Sequence, residues 1–150
     1  MERKKTIAND LFFASVEEML AEGQSVEMTV KGFSMRPFLR NERDVVVLSP
    51  LAEGALREGM VVLFRHKGRH ILHRLRSIEG ARLTMEGDGN YRTVEVVSPD
   101  DVVAYASEVH LKGGRRLRYN SLGWRMRSAL SLVRKWARTV AVDLKHKIYK

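Results

Sequence analysis

The segment between residues 26 and 111 consists of short apolar runs separated by turn-forming residues, and this pattern constrains the fold most. Residues 26–30 alternate apolar and polar side chains, as a half-buried strand does. Short runs rich in β-branched residues predict further strands at residues 44–48, 60–64, 71–78, 82–86, 94–97 and 102–111. The pattern predicts a hairpin between the fourth and fifth of these seven strands, with Glu79-Gly80 at the turn. Short, closely spaced strands favour a mainly β, barrel-like domain.

Helical periodicity is confined to the two ends of the chain. Apolar residues recur at roughly helical spacing over residues 6–21, and Gly23 follows as a stop signal. After Gly113-Gly114 the period becomes that of a helix over about residues 121–148. We therefore expect one domain over residues 1–150, with a β core at about 26–111 and one helix at each end.

The C-terminal helix carries most of the excess positive charge. The net charge is +9, from 27 Lys and Arg against 18 Asp and Glu. Between Lys112 and Lys150 there are twelve basic residues, opposed by Asp143 alone. An apolar stripe runs along the same helix, through Leu122, Met126, Leu130, Val133, Ala137, Val140, Leu144 and Ile148. The helix is thus basic and amphipathic.

Two roles for this helix remain open. Its apolar stripe could cover the core and leave the charges in water. It could instead lie on an anionic membrane surface, an alternative that Trp124 and Trp136 favour slightly. Nucleic acid is a less expected partner, because no stacking motif or recognition-helix pattern accompanies the charge.

Composition excludes several functional classes. The chain has no cysteine, which excludes a disulfide scaffold, thiolate metal sites and cysteine nucleophiles.

Its N-terminus is basic, but acidic residues interrupt the apolar stretch that a signal peptide requires. No window approaches 18 uncharged apolar residues, so we expect no transmembrane helix and a cytoplasmic location.

Three short segments carry residues suited to catalysis. They are Gly32-Phe-Ser-Met-Arg-Pro37, Leu72-His-Arg-Leu75 and Glu86-Gly-Asp-Gly-Asn90. Each alone is compatible with a structural role, since Asp, Gly and Asn, for example, are common in tight turns. A serine hydroxyl needs a neighbouring base to become a nucleophile, and a histidine held by a carboxylate can supply that base.

In this order, the three segments resemble the serine peptidases of the signal-peptidase and SOS-repressor type. In those families a Gly-x-Ser-Met motif, often followed by x-Pro, presents the nucleophile, and Ser34 matches that position. The general base precedes an arginine. It is lysine in bacterial signal peptidases and repressors but histidine in the endoplasmic-reticulum and archaeal type, and here it is His73. A Gly-Asp-Asn-Asn motif follows, matched by Gly87-Asp-Gly-Asn90.

The resemblance, over about residues 26–111, implies a serine endopeptidase with nucleophile Ser34 and base His73, acting on a peptide or protein substrate. The orienting carboxylate is Asp88 or Glu95, because the second Asp of the histidine type is missing after Asn90. Bacterial signal peptidases often have a serine at the place of Gly32, so an oxyanion hole here would use backbone N–H groups, with Gly32 and Met35 as candidates. The membrane segment that precedes the nucleophile in those enzymes has no counterpart in residues 1–33.

Three other interpretations compete with this one. His66, His70 and His73 could bind a metal, but His70 and His73 would point to opposite faces of a strand. We therefore expect neither a metal nor another cofactor. Lys31 or Lys67 could be a lysine base, although neither occupies the motif position. The chain could also be a non-catalytic module that binds a peptide or partner on the same fold.

Overall fold

The structure is a computed structural model that describes residues 2–91 and 93–148, with side chains from Asn9 onward. Helix α1 spans Glu2–Ala21 and helix α2 spans Leu122–Ile148. The eight strands are β1 Val26–Thr29, β2 Val45–Ser49, β3 Val61–His66, β4 Arg69–Glu79, β5 Arg82–Glu86, β6 Val94–Val97, β7 Val102–His110 and β8 Arg116–Arg118. Single 3-10 turns lie at Pro99–Asp101 and Lys112–Gly114.

The strands form one antiparallel sheet that curls into a half-barrel. The order is β1-β2-β7-β3-β4-β5-β6, and β8 pairs with β7 outside this path. The prediction of a mainly β structure with a helix at each end is therefore confirmed. The seven predicted strands are present with small shifts at their ends, whereas β8 was not predicted.

Tight turns set the register of the strands that carry the site. Lys67 and Gly68 join β3 to β4 with φ values of 50° and 74°. Two positive φ values in a two-residue loop match the twist of a hairpin. The next hairpin has Gly80-Ala81 between the paired residues Glu79 and Arg82, one position beyond the predicted turn. The β3–β4 register places His73 opposite Val62, on a strand that lies two positions from β6 in the sheet.

Two apolar clusters of buried residues form the core. The larger one joins α1 and α2 to the sheet and contains, among others, Val16, Leu20, Met35, Phe38, Leu39, Val46, Leu63, Val109 and Trp124. The smaller one contains Met60, Val62, Phe64, Leu75, Leu83, Met85 and Val97. Because residues 35, 38 and 39 belong to the larger cluster, the loop between β1 and β2 is anchored in the core.

Helix α2 contacts the rest of the protein with a face other than the predicted apolar stripe. Its buried residues are Trp124, Ser128 and Ser131. The stripe from Leu122 to Ile148 is exposed along its length. Of the two roles that the sequence left open, covering the core with this stripe is therefore wrong, because the opposite face of α2 forms the contact. Within the described residues, no helix is both long and apolar enough to cross a membrane.

Candidate active site

The β1–β2 loop presents Ser34 near the surface, on residues that are themselves buried. Ser34 is half-buried, whereas Met35, Phe38 and Leu39 are buried. The Phe38 ring packs edge-on against Trp124, with 5.0 Å between centroids. Gly32 has φ +89°, a conformation that side chains disfavour, so this glycine sets the direction in which the loop leaves β1. The loop is thereby fixed on both sides of Ser34.

A buried hydrogen bond joins His73 on β4 to Glu95 on β6. Nδ1 of His73 and Oε1 of Glu95 are 2.6 Å apart, and the residues are 5% and 8% exposed. An ionised carboxylate can only accept, so Nδ1 is the donor in this bond, and in a neutral imidazole Nε2 is then the acceptor. This partner assigns the tautomer that a general base requires.

Ser34 and His73 lie against the same glycine. A Cβ atom on Gly87 would stand 2.4 Å from the Ser34 carbonyl oxygen and 3.0 Å from His73 Nε2. A Cβ on Gly89 would stand 2.5 Å from the Phe33 carbonyl oxygen. The backbone N–H of Gly89 donates to the Ser34 carbonyl oxygen at 2.7 Å. These glycines permit the close approach of two backbones, and neither has a positive φ.

Asp88 binds Arg74 and not His73. Nε and Nη2 of Arg74 donate to Oδ1 and Oδ2 of Asp88 at 2.8 and 2.7 Å. The hydroxyl of Ser131 donates to Oδ2 of Asp88 at 2.7 Å. Among the described residues, Glu95 is the carboxylate in hydrogen-bond contact with His73. Of the two carboxylates that the sequence left open, the geometry therefore favours Glu95 as the orienting group.

Of the two backbone donors expected near Ser34, Met35 fits the structure and Gly32 does not. The N–H of Gly32 donates to Oδ1 of Asn41 at 2.7 Å, so it is not free for an oxyanion. In the described part of the chain, the N–H groups of Ser34 and Met35 have no acceptor. They are the donors that the loop leaves for a developing negative charge. Met35 contributes through its backbone, since its side chain is buried in the core.

The competing bases and ligands lie in other environments. Lys31 is exposed and forms an ion pair with Glu42 at 3.4 Å. His70 bonds to Glu17 at 3.0 Å and stacks on Phe13. The described residues hold no group of three or more His, Asp or Glu side chains placed to bind a metal.

Sequence reasoning missed the contribution of α2 to this site. Lys135 donates through Nζ to the carbonyl oxygen of Gly87 at 2.7 Å and also to that of Asn90. Ser131 binds Asp88, and Ser128 lies 3.3 Å from Nη1 of Arg74. The helix therefore holds the turn that lies against both His73 and the Ser34 loop. The spacing of the two serines, opposite the apolar stripe, was the available signal.

Comparison with known proteins gives no assignment. The chain matches no protein-family model, and no curated protein sequence matches it. The residues and their geometry therefore carry the functional proposal.

Proposed function

We propose that the protein is a serine endopeptidase of the histidine-type signal-peptidase kind, with Ser34 as nucleophile and His73 as general base. One observation carries this proposal: Glu95 fixes the tautomer of His73 while Nε2 faces Gly87, which also packs on the carbonyl of Ser34. A packed structural histidine would also need a hydrogen-bond partner, but it would not need its second ring nitrogen beside a glycine that packs on a serine loop.

The chemistry follows the acyl-enzyme route. Nε2 of His73 accepts the proton of the Ser34 hydroxyl as Oγ attacks the carbonyl carbon of the scissile bond. The N–H groups of Ser34 and Met35 stabilise the oxyanion, and Glu95 stabilises the imidazolium. The imidazolium then gives its proton to the leaving amine. Water, activated by the same histidine, hydrolyses the acyl-enzyme and returns Ser34 to its free form.

In this proposal, Arg74 and Asp88 are positioning residues. Their ion pair is buried and holds the turn of residues 87–90 against the nucleophile loop. Lys135 holds the same turn from α2. None of the three side chains is assigned to proton transfer.

We assign the substrate to the class of peptides and proteins: a precursor peptide, or the protein's own chain. We place the activity in the cytoplasm, peripherally at the inner face of the membrane. In this proposal the half-barrel is the peptidase fold of the signal-peptidase family. The substrate binds beside Ser34.

Digestion of a peptide library, with products identified by mass spectrometry, tests the proposal. Ser34→Ala and His73→Ala should each remove nearly all cleavage, and the double variant should be little worse, because the two residues act as one unit. Ser25→Ala, at an exposed serine, is the matched control and should cleave normally. Absence of cleavage by the folded wild-type protein would favour the rival function, a binding module. Additive losses would contradict a shared mechanism.

A further inference from the structure

The two faces of α2 have opposite character. The face on the protein carries Trp124, Ser128 and Ser131. The face toward solvent carries large apolar side chains: Leu122, Met126, Leu130, Val133, Trp136, Val140, Leu144 and Ile148, between 37% and 74% exposed. At about 100° per residue, these two sets lie on opposite sides of the helix. Continuous exposed apolar surface of this kind marks an interaction site.

A basic pocket adjoins this surface. It has a volume of about 350 Å³ and lies between α2 and the loop that follows Ser34. Its lining consists of Pro37, Arg40, Arg43, Arg127, Leu130, Ser131 and Arg134. Asp44 accepts a hydrogen bond from Arg43 at 3.0 Å. Four arginines thus line one opening, and Asp44 pairs with one of them.

The electrostatics of Arg127 indicate that positive charge is in excess here. Its guanidinium donates to the carbonyl oxygens of Phe38 and Pro37, which are neutral acceptors. Burial lowers the pKa of Arg127 below its usual value, and Asp44 opposes this effect. Nearby arginines, including Arg43 and Arg40, lower this pKa further. An anion in the pocket would relieve the repulsion.

The pocket and the apolar stripe meet at Leu130, which belongs to both. A phosphate bound by Arg40 and Arg134 would therefore have apolar surface directly beside it. Trp136, with 68% of its surface exposed, suits the boundary between headgroups and acyl chains. A phospholipid has this same arrangement of an anionic group next to an apolar chain.

We infer that α2 docks on an anionic phospholipid membrane, with lipid phosphate in the arginine pocket and the apolar stripe in the interfacial layer. A second copy of the chain fits less well, because pairing two stripes would bring two sets of arginines together. Docking of this kind does not depend on the proposed peptidase activity. It goes beyond a general membrane location, because a particular pocket and a particular helix face bind the lipid.

Co-sedimentation with lipid vesicles tests this inference, using the full chain with Ser34→Ala so that proteolysis plays no part. We expect binding to phosphatidylcholine vesicles that contain phosphatidylglycerol, little binding to pure phosphatidylcholine, and weaker binding at high salt. Arg40→Gln and Arg134→Gln should each weaken partitioning roughly fivefold, since a basic residue near an anionic surface contributes about 1 kcal/mol. The double variant Leu130→Ser/Trp136→Ser should weaken partitioning more than either of these two serine substitutions alone. Each substitution removes apolar surface that an inserted stripe would bury.

Two exposed substitutions outside this surface are the matched controls: Leu11→Ser on α1 and Arg82→Gln on β5. They should leave partitioning unchanged, and circular dichroism should show every variant folded. Equal binding to neutral and anionic vesicles, or equal losses in the controls, would overturn the inference. So would concentration-dependent self-association without vesicle binding, which would assign the stripe to a second copy of the chain.

Discussion

His73 on β4 and Glu95 on β6 form a buried pair, with 2.6 Å between Nδ1 of His73 and Oε1 of Glu95. The two residues are 22 positions apart in the chain. In the sheet β5 alone lies between β4 and β6, so the two side chains can reach each other over this strand. In the proposed mechanism this pair orients His73 as the general base, which the following predictions test.

Glu95→Gln should slow the reaction of Ser34 with a fluorophosphonate by about 10²–10⁴-fold. The amide removes the charge that stabilises the imidazolium and can hold the ring in the wrong tautomer, as Asn does in place of the orienting Asp of a Ser-His-Asp triad. The labelling rate, measured with intact-mass spectrometry, reports this directly. Glu108→Gln, on β7, is the control. An unchanged rate in Glu95→Gln would remove Glu95 from the mechanism.

Asp88→Asn should act on stability more than on the chemical step. The side chains of Arg74 and Asp88 are each 1% exposed, so loss of the carboxylate leaves a buried guanidinium without its partner. Breaking a buried pair costs about 3–5 kcal/mol, whereas an exposed pair is worth about 0–1 kcal/mol. Urea unfolding measures the difference, with Glu42→Gln in the exposed Lys31–Glu42 pair as the control. Equal effects of the two substitutions would contradict the role given to Asp88.

Gly89→Ala should disturb the nucleophile loop. The new methyl would stand 2.5 Å from the Phe33 carbonyl oxygen, so the turn or the loop must shift. We expect labelling at Ser34 to fall by about tenfold or more, because a displacement near 1 Å at a catalytic group can cost about 10²-fold. Gly54→Ala strains a positive φ without a clash and should leave labelling unchanged. Normal labelling in folded Gly89→Ala would show that the close approach is unimportant.

Labelling should be slow in acid and become faster as the pH rises toward neutral. The base must be a neutral imidazole to accept the hydroxyl proton, and protonation at low pH removes that capacity. The rate of fluorophosphonate labelling as a function of pH measures this. In His73→Gln the residual rate should lose this dependence on pH. An unchanged profile in that variant would assign the base to another residue.

The strands and both helices could be predicted from the sequence because their signals are local. β-branched runs and helical periodicity depend on neighbouring residues, and β6 was predicted with the same bounds, 94–97, that the structure has. β8 was not predicted because its three residues, Arg-Leu-Arg, carry no apolar run. The outward apolar face of α2 could not be predicted, since periodicity defines a face but not what that face contacts.

The residues of the candidate site could be selected in part from local motifs as well. The motifs contain Ser34, His73 and Asp88, and Glu95 follows the third motif, but the pairing of these residues depends on strand order. The choice between Asp88 and Glu95 needed the position of Arg74, which takes both oxygens of Asp88. The hydrogen bonds from Gly32 to Asn41 and from Lys135 to Gly87 likewise join residues that are not neighbours in the chain.

The site and rate of fluorophosphonate labelling in the folded wild-type protein test the pairing of nucleophile and base. We predict a single adduct, mapped by peptide mass spectrometry to Ser34, that is absent in Ser34→Ala and forms at least about 10²-fold more slowly in His73→Ala. An adduct on another serine, or the same labelling rate at Ser34 with and without His73, would contradict this pairing.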